Sequence, residues 1–300
     1  MNSFAPKLRR LRPLLGTFVE IQLDHDDEPH RKAIQDAMTR IVSIHQCMSI
    51  HEPDSELSQL NHSVLHRFHP VSNDLMNVLY RGTYWSIQSQ GDFDMSILPL
   101  LQQYGLAPTH RDNGDYVVGY QWLDCKPRYG VRRRANIRLD AGGIAKGYAV
   151  DAAAEVLEEL GICNYVVNAG GDLRIGKAPV AVQVRHPLHP HHLIELGTFS
   201  QCAVASSACY YVHRNTDEDG RIGELHPLFN PSTGQCTPAH RALSVIHSST
   251  MDADALTKVV AIRGHLADTW LKTHKASAWI MDGASSPCWI GQTYPEIPVS

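Results

Sequence analysis

No apolar run in this 300-residue chain approaches the roughly 20 residues that span a bilayer, so the reading excludes membrane insertion. No long basic stretch occurs either. Arg132-Arg133-Arg134 and Arg9-Arg10 with Arg12 are short, and a formal net charge of -4 leaves no basic footprint for a nucleic-acid partner. No CxxC is present. The seven cysteines (Cys47, Cys125, Cys163, Cys202, Cys209, Cys236 and Cys288) are odd in number and scattered, which suits free thiols in a reducing compartment. The opening segment MNSFAPKLRRLRPLLGTFVEIQL has no continuous apolar core, because Arg12, Pro13 and Gly16 interrupt it. The expected location is cytoplasmic, unless a targeting segment lies outside this sequence. GxGxxG and Walker A patterns are missing, which excludes the dinucleotide fingerprint and the P-loop built on them.

What is there suits a globular chain. Hydrophobic residues at 43% and charged residues at 19% are enough for a substantial core with a solvated surface. Leu14 to Leu23 reads as a β-branched, alternating strand. Ile34, Met38, Ile41 and Ile44 recur at helical spacing within Arg31–Met48, and Asn73–Ser89 is a second amphipathic helix. A short strand is expected over Ile137–Leu139, a helix over Ala145–Leu160 closed by Gly161, and a strand over Tyr165–Val167. Strands are also expected over Val180–Val184, Ala203–Ser206, Leu243–Ile246, Ala276–Met281 and Cys288–Gly291, and helices over Asp252–Arg263 and His265–His274. This order has no regular βα alternation, which favours an α+β fold over a doubly wound sheet.

The densest chemical signal is Leu139-Asp140-Ala141-Gly142-Gly143-Ile144-Ala145-Lys146-Gly147-Tyr148-Ala149-Val150-Asp151. A strand delivers the chain to paired glycines, and a helix begins at once. Glycines permit positive φ and close backbone approach, and a helix N-terminus suits an anion such as a pyrophosphate. Lys146 adds a cation in the first turn. A second turn, Asn168-Ala169-Gly170-Gly171-Asp172, follows the next strand and can line the same cleft. Asp172 reads first as a turn-stabilising carboxylate. The histidines of His186-Pro187-Leu188-His189-Pro190-His191-His192 read as a solvated, proline-broken loop rather than a metal site.

LDAGGIAKGYAVD followed by NAGGD resembles the signature of the FAD:protein FMN transferase (ApbE-type) family. Leu15-Gly16-Thr17, the Met48–Asn61 segment with its PDSELSQLN, Gly91-Asp92-Phe93-Asp94, Ser206-Ser207-Ala208-Cys209-Tyr210, Asn230-Pro231-Ser232-Thr233-Gly234 and Asp252-Ala253-Asp254-Ala255-Leu256 resemble further family segments, in the family's order. The resemblance implies a single domain over residues 1–300 with a T-fold-like architecture of mixed and antiparallel sheets flanked by helices. If that domain has two lobes, it implies the FAD cleft lies between them. It further implies FAD cleavage, attachment of FMN to a Thr or Ser of an acceptor protein, and release of AMP with magnesium as cofactor. Carried over residue by residue, it puts Leu15, His51, Asp92, Phe93, Asp94, Lys146, Asn168, Gly170, Gly171 and Asp172 at the flavin nucleotide. It makes the Gly143 carbonyl and Asp254 the metal ligands, with Asp254 and His226 as catalytic residues.

The sequence departs from that pattern in three places. Lys258 stands four residues beyond Asp254, where the family has a metal-binding Thr. Pro227 and Asn230 replace the His and Asp of its H-I-I-D-P segment, with His226 one residue away. Leu98 replaces a Gly. Two alternatives therefore stand beside the transferase. One is an FAD carrier without metal binding, and the other a metal-dependent hydrolase giving FMN and AMP.

Overall fold

The computed structural model describes residues 4–108, 114–208, 213–216, 222–225, 228–237 and 240–292. In chain order the elements are β1 (Leu8–Leu14), β2 (Thr17–Leu23), α1 (Glu28–Met48), α2 (Glu56–His62), α3 (Asn73–Gln88), α4 (Leu98–Gln103), β3 (Leu123–Lys126), β4 (Gly130–Arg133), α5 (Ala145–Glu159), β5 (Tyr165–Ala169), β6 (Asp172–Ile175), β7 (Val180–Arg185), β8 (Leu193–Phe199), β9 (Cys202–Ala208), β10 (His213–Thr216), β11 (Ile222–Leu225), β12 (Arg241–His247), α6 (Thr250–Arg263), α7 (Asp268–Thr273), β13 (Ser277–Asp282) and β14 (Cys288–Gly291). The fold is α+β, with antiparallel strand pairing in every sheet. Two compact units share the chain. The first comprises Met1–His45, Lys146–Tyr210 and His240–Ser300, and the second Gln46–Ala145 and Tyr211–Ala239.

The first unit is built on an eight-stranded sheet in the order β1-β2-β5-β6-β9-β12-β13-β14. Successive side chains of a strand point to opposite faces, and β12 shows this clearly. Ala242 and Ile246 face the β7–β8 hairpin, whose Val182, Val184, Leu196 and Phe199 complete a core with Ile175, Val204 and Trp279. On the other face α6 packs against β9 and β12. There Ser207 Oγ donates to Thr257 Oγ1 at 3.0 Å. With both faces covered, β12 is buried along nearly its whole length.

The second unit holds α2, α3, α4 and the hairpins β3–β4 and β10–β11. Asn61 at the end of α2 matters most to the glycine-rich segment. Its Nδ2 donates to the Leu139 carbonyl at 2.8 Å, and its Oδ1 accepts from the Leu139 N–H at 2.7 Å. A buried side-chain amide thus replaces a strand partner for the residue before Asp140.

Three sequence expectations change. Leu14–Leu23 is not one strand, because Leu14 pairs with Thr17 across a two-residue turn and β1 precedes it. Ile137–Leu139 is not a strand; only an isolated parallel bridge joins Arg138 to Ile97. His265–His274 is not one helix, since a 3-10 turn over Gly264–Ala267 leads into α7. No helix among the described residues is long and apolar enough to cross a membrane.

Candidate functional site

Two tight turns lie side by side at one end of the main sheet. Leu15 (φ 56°) and Gly16 (φ 70°) join β1 to β2, while Gly170 (φ 64°) and Gly171 (φ 102°) join β5 to β6. Positive φ at both central residues is the hairpin turn that matches the strand twist. A Cβ on Gly170 would stand 2.5 Å from Thr17 Oγ1, so only glycine lets the turns approach each other. Leu15 adopts the same left-handed conformation against its side chain's preference. The Asn168 Oδ1 accepts from the Gly171 N–H at 2.9 Å and fixes the second turn.

The first glycine pair behaves differently from expectation. Neither Gly142 nor Gly143 has a positive φ. Instead Asp140 Oδ1 accepts from the Gly142 N–H at 3.0 Å, an Asx turn that feeds the chain into α5. Left-handed geometry belongs to Gly170-Gly171, not to Gly142-Gly143.

Helices α5 and α6 complete each other's first turns. Asp151 in α5 takes the Thr250 N–H on Oδ1, and the Met251 N–H and Ser249 hydroxyl on Oδ2, all at 2.8–2.9 Å. Asp254 in α6 returns the contact, accepting the Gly147 N–H of α5 on Oδ2 at 3.2 Å. First-turn N–H groups have no partner within their own helix, and a carboxylate satisfies them while matching the positive end of the dipole. Gly147 makes this possible, since a Cβ there would lie 2.3 Å from the Thr250 carbonyl oxygen. Asp151→Ala is expected to cost about 2 kcal/mol in urea unfolding, with Asp151→Asn losing less because its amide oxygen still accepts. Equal losses for the two variants would show that the carboxylate is not acting as a cap.

Asp254 is also the hub of a charge cluster. Lys146 Nζ lies 3.2 Å from Asp254 Oδ2, 3.4 Å from Oδ1 and 3.1 Å from Asp172 Oδ2. Lys258 Nζ donates to Asp254 Oδ1 and, at 3.0 Å, to the Asp254 carbonyl. Thr257 Oγ1 donates to that same carbonyl at 2.7 Å. Both carboxylates are buried, whereas the side chains of Lys146 and Lys258 remain 26% and 20% exposed. Burial and the nearby Asp254 charge push Asp172 up to about 6, against the pull of Lys146. Burial acts the same way on Asp254, but Lys146 and Lys258 outweigh it and hold this carboxyl below the usual range. Burial opposes the charge on Lys146, yet Asp172 and Asp254 raise its pKa above that of a free lysine.

In the second unit the positions singled out from sequence are spread over four loops. His51 sits in an exposed turn after α1, its N–H donating to Ser49 Oγ at 3.3 Å. Asp92, Phe93 and Asp94 follow α3. Phe93 is a core side chain, and Asp94 is spent on backbone, accepting from the Ser96 and Tyr120 N–H groups at 2.8 Å each. Burial raises the Asp94 pKa against these bonds. Gly143 lies in the turn before α5. Asn230 caps its own turn, its Oδ1 accepting from the Ser232 and Thr233 N–H groups. His226 and Pro227 fall outside the described residues. Burial pushes the Cys47 and Cys125 thiols up to about 12 and about 11, which disfavours their thiolates. The His186–His192 segment is the β7–β8 connection, with His186 Nδ1 accepting from the Leu188 and His189 N–H groups.

The family model described as the ApbE family matches residues 15–280. The chain belongs to the ApbE family. Among curated ApbE-family relatives, the FAD:protein FMN transferase of Vibrio cholerae serotype O1 is 25% identical over 276 residues, covering 84% of this chain and 80% of that protein. The FAD:protein FMN transferase of Haemophilus influenzae is 26% identical over 241 residues, covering 72% and 68%. Solved ApbE structures share the fold. The Thermotoga maritima ApbE protein superposes with a TM-score of 0.81 at 20% identity, over 95% of this chain and 97% of that one. The Vibrio cholerae flavin transferase ApbE gives 0.79 at 19% identity, over 95% and 97%.

Sequence reasoning missed two features of the site. Asp151 stood inside the quoted motif but carried no role, because its partners lie about a hundred residues away. Thr257 was given no role either, and its hydroxyl closes off the Asp254 carbonyl.

Proposed function

We propose that this chain is an FAD:protein FMN transferase. The acceptor hydroxyl oxygen of a Thr or Ser attacks the FMN-side phosphorus of FAD. A phosphoester bond forms, the bond from that phosphorus to the bridging oxygen breaks, and AMP departs with the electron pair. The hydroxyl proton goes to a base, the role this reading gives His226. Family membership over residues 15–280 and relatives named for this reaction support it. The observation that carries it is the Lys146 ammonium, held in the first turn of α5 by two buried carboxylates. A pyrophosphate binds where fixed positive charge awaits it, and its departing half needs the same charge in the transition state.

The nucleotide contacts in this reading are Leu15, Asn168, Gly170, Gly171 and Asp172 at the sheet end, and His51, Asp92, Phe93 and Asp94 in the second unit. A single ApbE-type domain over residues 1–300 belongs to the same proposal. So does a cytoplasmic setting, for which the free thiols of the six described cysteines speak. Magnesium at the Gly143 carbonyl and Asp254 would supply Lewis-acid charge to the phosphates. The donor set found at Asp254 does not fit it: ammonium groups, a hydroxyl and an N–H already engage both carboxylate oxygens and the carbonyl. No step is therefore routed through a metal.

Incubating the purified chain with FAD and acceptor proteins bearing a modifiable Thr or Ser is expected to give one AMP per covalently bound flavin on the acceptor, seen by in-gel flavin fluorescence and mass spectrometry. FMN and AMP formed without acceptor would make the chain a hydrolase. FAD bound and left intact would make it a carrier.

A further inference from the structure

We propose that Lys258 is a resident cation: its ammonium fills the place at Asp254 that a divalent ion would need, so the chain binds the anionic pyrophosphate of FAD through two lysines and without a metal at Asp254. The helical spacing of Asp254 and Lys258 puts the two on one face of α6. The ammonium grips two different oxygens of the same residue, Oδ1 and the main-chain carbonyl. Those are the hard oxygen atoms that a magnesium ion would seek from an aspartate. Lys146 and the Gly147 N–H take Oδ2, and Thr257 Oγ1 adds a second donor to the carbonyl. No oxygen of Asp254 is left without a donor.

Charge balance leads to the same conclusion. Asp172 and Asp254 face Lys146 and Lys258, two carboxylates against two ammonium groups within one buried cluster. Such a cluster is neutral as it stands. A divalent ion added there would meet two positive charges at close range in a medium that screens them poorly. A pyrophosphate meets the opposite situation, since it brings negative charge toward two lysine side chains that keep partial exposure while their carboxylate partners do not.

The FAD half of this inference rests on the transferase reading; the metal half stands without it. Mn²⁺ titration of the metal-free full chain, followed by the electron paramagnetic resonance of free Mn²⁺, tests the metal half. Wild type is expected to bind no Mn²⁺ tightly. Lys258→Thr, which offers a hydroxyl and removes one positive charge, should gain one tight Mn²⁺, and adding Asp254→Asn should abolish it. Stoichiometric tight binding by wild type that is lost in Asp254→Asn would overturn the proposal even if Lys258→Thr failed to fold. The second arm measures FAD affinity from flavin fluorescence, in chelator and in magnesium. Wild-type affinity is expected to be the same in both, and Lys258→Thr to bind about tenfold more tightly with magnesium than without. A tenfold magnesium effect in wild type would overturn the proposal. Absence of FAD binding under every condition would defeat the transferase reading, leaving the Mn²⁺ result to decide the metal half alone.

Discussion

Asp254→Ala is expected to lower the unfolding free energy by about 3 kcal/mol, the lower end of the cost of breaking a buried ion pair. The low end applies because the two lysine side chains retain 26% and 20% exposure and recover some hydration. The loss has three sources. Lys146 loses one of its two carboxylate neighbours and keeps Asp172, Lys258 keeps no described carboxylate within ion-pair distance, and the Gly147 N–H loses its acceptor. Urea unfolding followed by far-UV circular dichroism measures it. Adding Lys258→Met to Asp254→Ala should restore part of the stability, because the orphaned ammonium goes with it. A single-variant loss below about 1 kcal/mol would place the cluster among solvated surface pairs.

Gly147→Ala is the second large effect, and here the sign is the test. In an exposed helix interior this change stabilises by up to about 1 kcal/mol, through restricted backbone freedom and better helix propensity. At Gly147 the new methyl would sit 2.3 Å from the Thr250 carbonyl oxygen and 2.7 Å from the Met251 Cα. These are backbone atoms at the start of α6, anchored by Asp151, and cannot swing away as a side-chain tip would. The two helices must separate, at a net cost of about 3 kcal/mol. Thermal and urea unfolding should both show the loss. A stabilised Gly147→Ala protein would mean that α5 and α6 do not meet here.

Local signals in the sequence reached far into the fold. The buried positions Ile34, Met38, Ile41 and Ile44 form the stripe that their spacing announced, and α1 begins three residues earlier than the pattern because Glu28 and Pro29 extend its first turn. β1 escaped notice for a physical reason. Its Leu-Arg-Arg-Leu-Arg-Pro-Leu sequence is that of an edge strand, where charges and proline discourage further pairing and erase alternation. The Asp254–Lys258 pair was legible, since both partners lie on one helix. The mutual capping by Asp151 and Asp254, and the meeting of Lys146 with Asp172, were not. Such contacts bridge distant segments, and neither periodicity nor composition encodes which carboxylate meets which N–H. The two Gly-Gly pairs look alike as text, yet only the one closing a hairpin needs left-handed backbone; the one entering a helix serves an Asx turn.

Because each of α5 and α6 lends the other the acceptor missing from its first turn, neither start can fray alone. Loosening one strips the other of its acceptor, so the two helix starts behave as a single cooperative joint although about a hundred residues of chain separate them.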